Sequence, residues 1–248
     1  MCLWEDLMGP FFDLHSHILF GVDDGAENQE TMFAMLDVAY EDGIRAICLT
    51  PHCSPYHYGD TFARSEQSFE ILTAYAQTKY PDLSLFLGHE LGYYYGCEDV
   101  LRDGICRTLA GSRYVLVDFP AHVDFFELSG ALNRLRGMGY RTVLAHVERY
   151  RCLLRRVDWI RGYVEAGGLI QLNASTITRK WGSRRRKLWI RLVRERLVHF
   201  IASDGHDLDL RSPKMSVCME YLQKHCDPEY VRELTWENGW RIVKNAVF

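Results

Sequence analysis

The feature that most constrains the fold of this chain is a rhythm. Short apolar runs recur at residues 11–15 (FFDLH), 45–50 (RAICLT), 83–88 (LSLFLG), 114–119 (YVLVDF), 141–146 (RTVLAH), 169–173 (LIQLN) and 198–203 (VHFIAS). Longer stretches with helical spacing of apolar residues lie between them, over 28–42, 63–79, 97–103, 124–138, 155–166 and 183–196, and segments 213–225 and 228–246 complete the chain. Alternation of strand and helix predicts a parallel sheet covered by helices. No Pro/Gly/Ser-rich linker interrupts the pattern. A single α/β domain over residues 1–248 is therefore expected, closed as a TIM-like (β/α) barrel, although such barrels typically have eight strands and the sequence supplies seven.

Composition narrows the function. The chain has 48% hydrophobic and 25% charged residues and a formal charge of -4, which gives no reason to expect nucleic acid as a partner. No apolar stretch approaches the roughly 20 residues that cross a bilayer, so no membrane insertion is expected. The N-terminal MCLWEDLMGPFFD lacks the features of a secretory signal, which predicts a cytoplasmic location. The eight cysteines are scattered without a C-x-x-C pair and are expected as free thiols. Oligomeric state is left open. In the basic stretch 179–196, Trp189, Leu192, Val193 and Leu197 are placed on one helical face, with the arginines on a solvated one.

The polar residues fall at the strand ends. The first strand ends in His15 and His17, which alternation puts on one face with Leu14 and Ser16 on the other. The second brings His52, the third His89 and Glu90, the fourth Asp118, the fifth His146, Glu148 and Arg149, and the seventh Asp204, His206 and Asp207. In a parallel barrel these ends open at one mouth, where active sites of that fold lie. Converging imidazoles and carboxylates suit divalent ions such as Zn, Mn or Fe. One catalytic zinc takes about three protein ligands, so a set of this size implies two or three ions with bridging carboxylates.

The strings FDLHSHILFGVDDG, LTPHC, GHELG, SRYVLVDFP, LAHVERY, LIQLNAS and LVHFIASDGHDLDLRSP resemble the bacterial PHP-type protein tyrosine phosphatases of the CpsB/YwqE kind. The resemblance implies a distorted seven-stranded barrel, the PHP fold, with three metal ions, usually manganese. It implies one ion held by His15, His17, Glu90 and Asp204, a second by Asp24, His52 and His206, and a third by Glu90, Asp118 and His146. Arg149 and Arg211 match the arginines that hold substrate phosphate. Asp118 stands where related phosphatases carry glutamate, and its shorter arm is expected to loosen the third site. The implied substrate is phosphotyrosine in protein, on the tail of a bacterial tyrosine kinase that controls capsule or exopolysaccharide synthesis.

Three alternatives compete with that expectation. Another PHP phosphoesterase, acting on a small phosphomonoester such as histidinol phosphate, would use the same metal chemistry. A cysteine-dependent phosphatase would need an arginine six residues after Cys53, where Gly59 stands. A non-catalytic binding module would carry an eroded ligand set. The aromatic run GYYYG at 92–96 is expected either to line the mouth or to pack beneath it, and Tyr56, His57 and Tyr58 to form a rim or lid. Glu148 is expected either as an exposed ion-pair partner or as an orienter of a ligand histidine.

Overall fold

The computed structural model describes residues 9–54, 61–178 and 183–248, and the side chains of 183–186 are not described. Tyr56, His57 and Tyr58, and Cys2, lie outside the described residues. The strands are β1 (Phe11–Ser16), β2 (Ile44–Leu49), β3 (His52–Cys53), β4 (Ser84–Leu87), β5 (Glu90–Gly92), β6 (Tyr114–Asp118), β7 (Arg141–Leu144), β8 (Leu169–Asn173) and β9 (Phe200–Ala202). All ladders are parallel, in the orders β1-β2-β4 and β3-β5-β6-β7-β8-β9.

Two expected strands are each interrupted. The second breaks between β2 and β3 at Thr50–Pro51, and the third between β4 and β5 at Gly88–His89. Proline has no N–H to give a ladder, so the break at Pro51 follows from the sequence. The sheet therefore curls as two hydrogen-bonded segments continuous in chain. Around the curl, β1 meets the segment after β9: Asp204 N–H donates to the His15 carbonyl (2.9 Å) and His17 N–H to the Gly205 carbonyl (2.8 Å). The buried Asp13 carboxylate fastens the same junction, accepting from Ser203 N (2.9 Å) and Ser203 Oγ (2.5 Å).

The helices are α1 (Gln29–Glu41), α2 (Phe62–Lys79), α3 (Glu98–Arg102), α4 (Phe125–Gly137), α5 (Val157–Glu165), α6 (Ala174–Thr178), α7 (Ser183–Arg194), α8 (Ser216–His225), α9 (Pro228–Arg232) and α10 (Asn238–Val243). α9 and α10 are joined by a π turn over Glu233–Glu237. In α7 and the turn after it, Trp189, Leu192, Val193 and Leu197 are buried as their spacing predicts. The short α6, directly after β8, has no separate signal in the sequence.

Two buried clusters follow from the two faces of the sheet. One lies under the helices and includes Ile47, Leu49, Val115, Val117, Leu144 and Ile170. The other, including Phe12, Leu14, Cys48, Leu116, Val143 and Phe200, fills the concave side and packs on Trp236 and Trp240. Phe12 and Leu14 occupy the concave face, which corrects the expectation that Leu14 turns away from the face of His15 and His17. In the β1–β2 ladder Asp13 pairs with Ile47 and Ser16 with Leu49, so three steps of β1 oppose two of β2. That bulge shifts the phase of β1. Apolar residues fill the concave face up to Leu14, and histidines occupy it from His15 onward.

Candidate metal centre

The concave face changes from apolar to ionisable at one level of the sheet. His15, His17, Glu90, His146, Asp204 and His206 are buried there. Three groups of donor atoms each converge within 4.8 Å: His17, Asp24, His52 and His206; His15, Glu90 and His146; and His15, His17 and Asp204. His15 Nε2 lies 3.0 Å from His17 Nε2. From His15 Nε2 it is 3.4 Å to Glu90 Oε2 and 3.4 Å to Asp204 Oδ1. Glu90 is central, with Oε1 2.9 Å from His146 Nε2 and Oε2 2.9 Å from His52 Nδ1. Asp24 Oδ1 lies 3.4 Å from both His52 Nε2 and His206 Nε2.

This donor set fits divalent cations. Imidazole nitrogens and carboxylate oxygens converge in three groups, with His15 and His17 each belonging to two of them. Buried Glu90 Oε2 and His206 Nε2 make no hydrogen bond of good geometry among the described residues. A buried polar atom left that way costs about 1–3 kcal/mol unless something else satisfies it.

Backbone strain aims two of these side chains. His146 and Asp204 have φ of 28° and 53° without being glycine. Such conformations cost about 1–3 kcal/mol each and concentrate at functional sites. The acidic turn before α1 needs Gly25 for a steric reason: a Cβ there would lie 1.9 Å from the His17 carbonyl oxygen.

Electrostatics follow from burial and mutual contact. Burial works against ionised Glu90, yet His15, His52 and His146 hold its carboxyl well below the usual range. Burial likewise opposes the Asp204 charge, and His15, His146 and Arg149 override it. His17 is pushed up to about 9, because the Asp23 carboxylate outweighs the burial that disfavours its cation. His206 is pulled down to about 4 by burial and by the neighbouring His17.

Asp118 is the predicted ligand that stands apart. Its Oδ1 is 3.6 Å from His146 Nε2 and accepts from Tyr150 Oη at 3.1 Å, and it belongs to none of the three converging groups. Arg149 and Arg211 lean over the centre: Arg149 pairs with Asp204 Oδ2, while Arg211 lies 3.4 Å from Asp204 Oδ1 and 3.5 Å from Asp24 Oδ2. Both line one cleft of about 610 Å³, bounded by α6, the 207–214 segment and the start of α8.

Glu148 departs from both of its expected roles, whereas Cys53 does not depart from its own. Cys53 is buried under the helices, on the face opposite His52, so its thiol does not face the centre. Glu148 is neither exposed nor bonded to a ligand histidine; buried, it accepts from Thr176 Oγ1 (2.9 Å) and Asn173 N (3.3 Å). Within GYYYG, Tyr93 packs on Phe119 with centroids 4.8 Å apart, while Tyr95 is 92% exposed. Three important residues were not singled out from sequence. Asp23 accepts from His52 N (2.8 Å) and lies 2.7 Å from His17 Nδ1. Gln171 and Asn173 stand behind His15 and Asp204. In LIQLN, the two-residue spacing that puts both amides on one face of the strand is the sequence signal for the latter pair.

A curled parallel α/β sheet with converging His/Asp/Glu donor groups and two arginines at its C-terminal mouth defines a class: metal-dependent hydrolases of TIM-like fold. The chain belongs to the family described as capsular polysaccharide synthesis, CpsB/CapC, which it matches over residues 11–244. It is 30% identical to the tyrosine-protein phosphatase CpsB of Streptococcus pneumoniae over 241 residues, covering 95% of this chain and 99% of that protein. It is 29% identical to the tyrosine-protein phosphatase YwqE of Bacillus subtilis, covering 94% and 91%. Among solved structures, one reported for YwqE and CpsB as unique metal-dependent tyrosine phosphatases superposes with a TM-score of 0.84 at 28% identity, covering 96% of each chain. The phosphotriesterase homology protein of Escherichia coli shares the fold alone, with a TM-score of 0.58 at 11% identity and coverage of 95% and 99%.

Proposed function

We propose that this chain is a metal-dependent protein tyrosine phosphatase built on a distorted seven-position barrel, a single domain over 1–248, and that it serves capsule or exopolysaccharide synthesis. The observation that carries it is the juxtaposition of the converging His/Asp/Glu groups with Arg149 and Arg211, in a chain of this family. Three ions are proposed, manganese first, with iron or zinc as substitutes. His15, His17, Glu90 and Asp204 would hold one, Asp24, His52 and His206 a second, and Glu90, Asp118 and His146 a third. When bound, the ions would supply Lewis acidity toward phosphate oxygens and a nucleophilic water at neutral pH.

The chain's own groups do the rest. Arg149 and Arg211 turn from Asp204 and Asp24 toward the phosphoryl oxygens, where their guanidinium forks match phosphate geometry. Buried walls at His15, His17 and His146 exclude bulk water and strengthen those contacts. The tyrosyl leaving group needs little proton assistance, because a phenol has a pKa near 10. The cleft beyond the arginines gives the tyrosyl ring and its chain a place to lie. The proposed substrate is the phosphotyrosine tail of a bacterial tyrosine kinase in the cytoplasm; among the described residues, no helix is long and apolar enough to cross a membrane.

Hydrolysis of a phosphotyrosine peptide is expected to vanish in EDTA and return with Mn²⁺. Full activity in His15→Ala would overturn the metal assignment. Faster turnover of histidinol phosphate than of the phosphopeptide would favour the small-molecule alternative.

A further inference from the structure

Behind the metal centre, two side-chain amides on β8 form a continuous hydrogen-bonded chain between two of the converging groups' members. Gln171 Oε1 accepts from the His146 N–H at 2.6 Å and lies 3.3 Å from His15 Nδ1. Gln171 Nε2 donates to Asn173 Oδ1 at 2.8 Å, and Asn173 Nδ2 donates to Asp204 Oδ2 at 2.7 Å. Gln171 is fully buried and Asn173 nearly so.

The direction of this chain is fixed at both ends. A backbone N–H can only donate, so the amide oxygen of Gln171 must face His146. An ionised carboxylate can only accept, so the Asn173 amide nitrogen must face Asp204. Each amide then has one orientation, and the single group left facing Gln171 Oε1 is His15 Nδ1, which must carry a proton to donate. His15 is thereby held as the tautomer whose Nε2 is a free lone pair. At the other end, Asn173 and Arg149 take the short contacts to Asp204 Oδ2, and Oδ1 faces the centre with the longer 3.4 Å contact from Arg211. The two atoms turned toward the centre, His15 Nε2 and Asp204 Oδ1, are the ones that meet at 3.4 Å.

We infer that Gln171 and Asn173 are positioning residues that preset His15 Nε2 and Asp204 Oδ1 as ligands for one ion, with Gln171 also anchoring the strained backbone of His146. The inference rests on the metal-dependent reading above. Partners that orient ligand histidines typically contribute about 10–100-fold in metal affinity. The same hydrogen bonds would matter little to a site that bound no ion.

The test is Mn²⁺ titration of the metal-stripped full chain, by calorimetry and by competition with a chelating dye. Gln171→Leu, which deletes both amide functions, is expected to weaken at least one ion about 10–100-fold. Gln171→Glu keeps an acceptor for His15 Nδ1–H and His146 N–H, and is expected to rescue most of that loss. Circular dichroism of each metal-free variant reports folding. Wild-type affinity in Gln171→Leu overturns the relay and leaves the phosphatase reading standing, whereas a wild-type chain that takes no Mn²⁺ overturns both. Independently of any variant, ¹⁵N imidazole shifts of the Zn²⁺-loaded wild type are expected to show His15 protonated at Nδ1; a proton on Nε2 overturns the inference.

Discussion

Asp23 and Asp24 are adjacent and do different work. Asp24 is about half exposed and reaches His52 and His206 from the solvent side. The Asp23 side chain is covered and sits behind His17, so that the far nitrogen of that ring faces the centre. Asp23→Asn keeps the shape but weakens the acceptor, and is expected to lower metal affinity about 10–100-fold, read by Mn²⁺ titration. Asp118 invites the opposite substitution. Lengthening it by one methylene, Asp118→Glu, should let the carboxylate reach past Tyr150 toward His146 and tighten binding at the proposed third position; unchanged affinity in that titration would show that reach is not what limits it. Which residue types gather at the mouth was legible in the order of strand-end strings. The division of labour between Asp23 and Asp24 was not, because nothing in VDDG says which carboxylate turns inward. Gln171 and Asn173 stayed hidden for a related reason: neutral amides in an apolar strand carry no charge pattern to read.

At the scale of elements, the strands were legible because buried parallel strands read as unbroken apolar runs. Their phase was not. The bulge in β1 follows from ladder geometry with β2, a long-range contact that local alternation cannot register. The C-terminal segment shows the same limit: its helical spacing is plain, but the π turn and the seat of α10 depend on the concave core. A Cβ on Gly239 would lie 2.3 Å from Phe12 Cγ. Gly239→Ala is therefore expected to destabilise by about 1–3 kcal/mol, as overpacking does, and Phe12→Leu in the same chain to recover part of it, both read by urea unfolding. The segment after β9 offers a functional test. Leu210 and Val217 are 81% and 64% exposed on the rim of the cleft that holds both arginines. If the peptide runs along that rim, Leu210→Asp with Val217→Asp should lower kcat/KM several-fold on a phosphotyrosine peptide and leave p-nitrophenyl phosphate turnover unchanged.

For the whole molecule, two ionisable systems set stability in opposite halves of the sheet. On the side away from the centre, His199 lies between β8 and β9 with Nδ1 accepting from Ile170 N–H at 3.2 Å, and burial pulls its pKa down to about 4. The unfolded ring, near 6.5, takes up its proton first, so stability is complete above pH 6.5 and lost as pH falls toward 4. With the ring partly exposed, that contribution is about 2 kcal/mol. His199→Asn retains an acceptor without the proton uptake, and should flatten the pH dependence of the urea midpoint measured in EDTA. At the mouth, the proposed ligands come from β1, the turn before α1, β3, β5, β6, the end of β7 and the segment after β9, so they draw on both hydrogen-bonded segments of the sheet. Ions there would tie together strands whose ladders are interrupted at Pro51 and at Gly88. Ligand that binds only the folded chain adds about 2.7 kcal/mol per site at a hundredfold excess over Kd. For a chain of this length that is roughly 5–10 °C in Tm for one ion. Mn²⁺ should therefore raise the Tm of the metal-stripped wild type by at least that much, and by distinctly less in His15→Ala, whose ring contributes to two of the three groups. Equal shifts in the two proteins would mean that the ions bind without drawing on β1, and that the sheet does not need them to close.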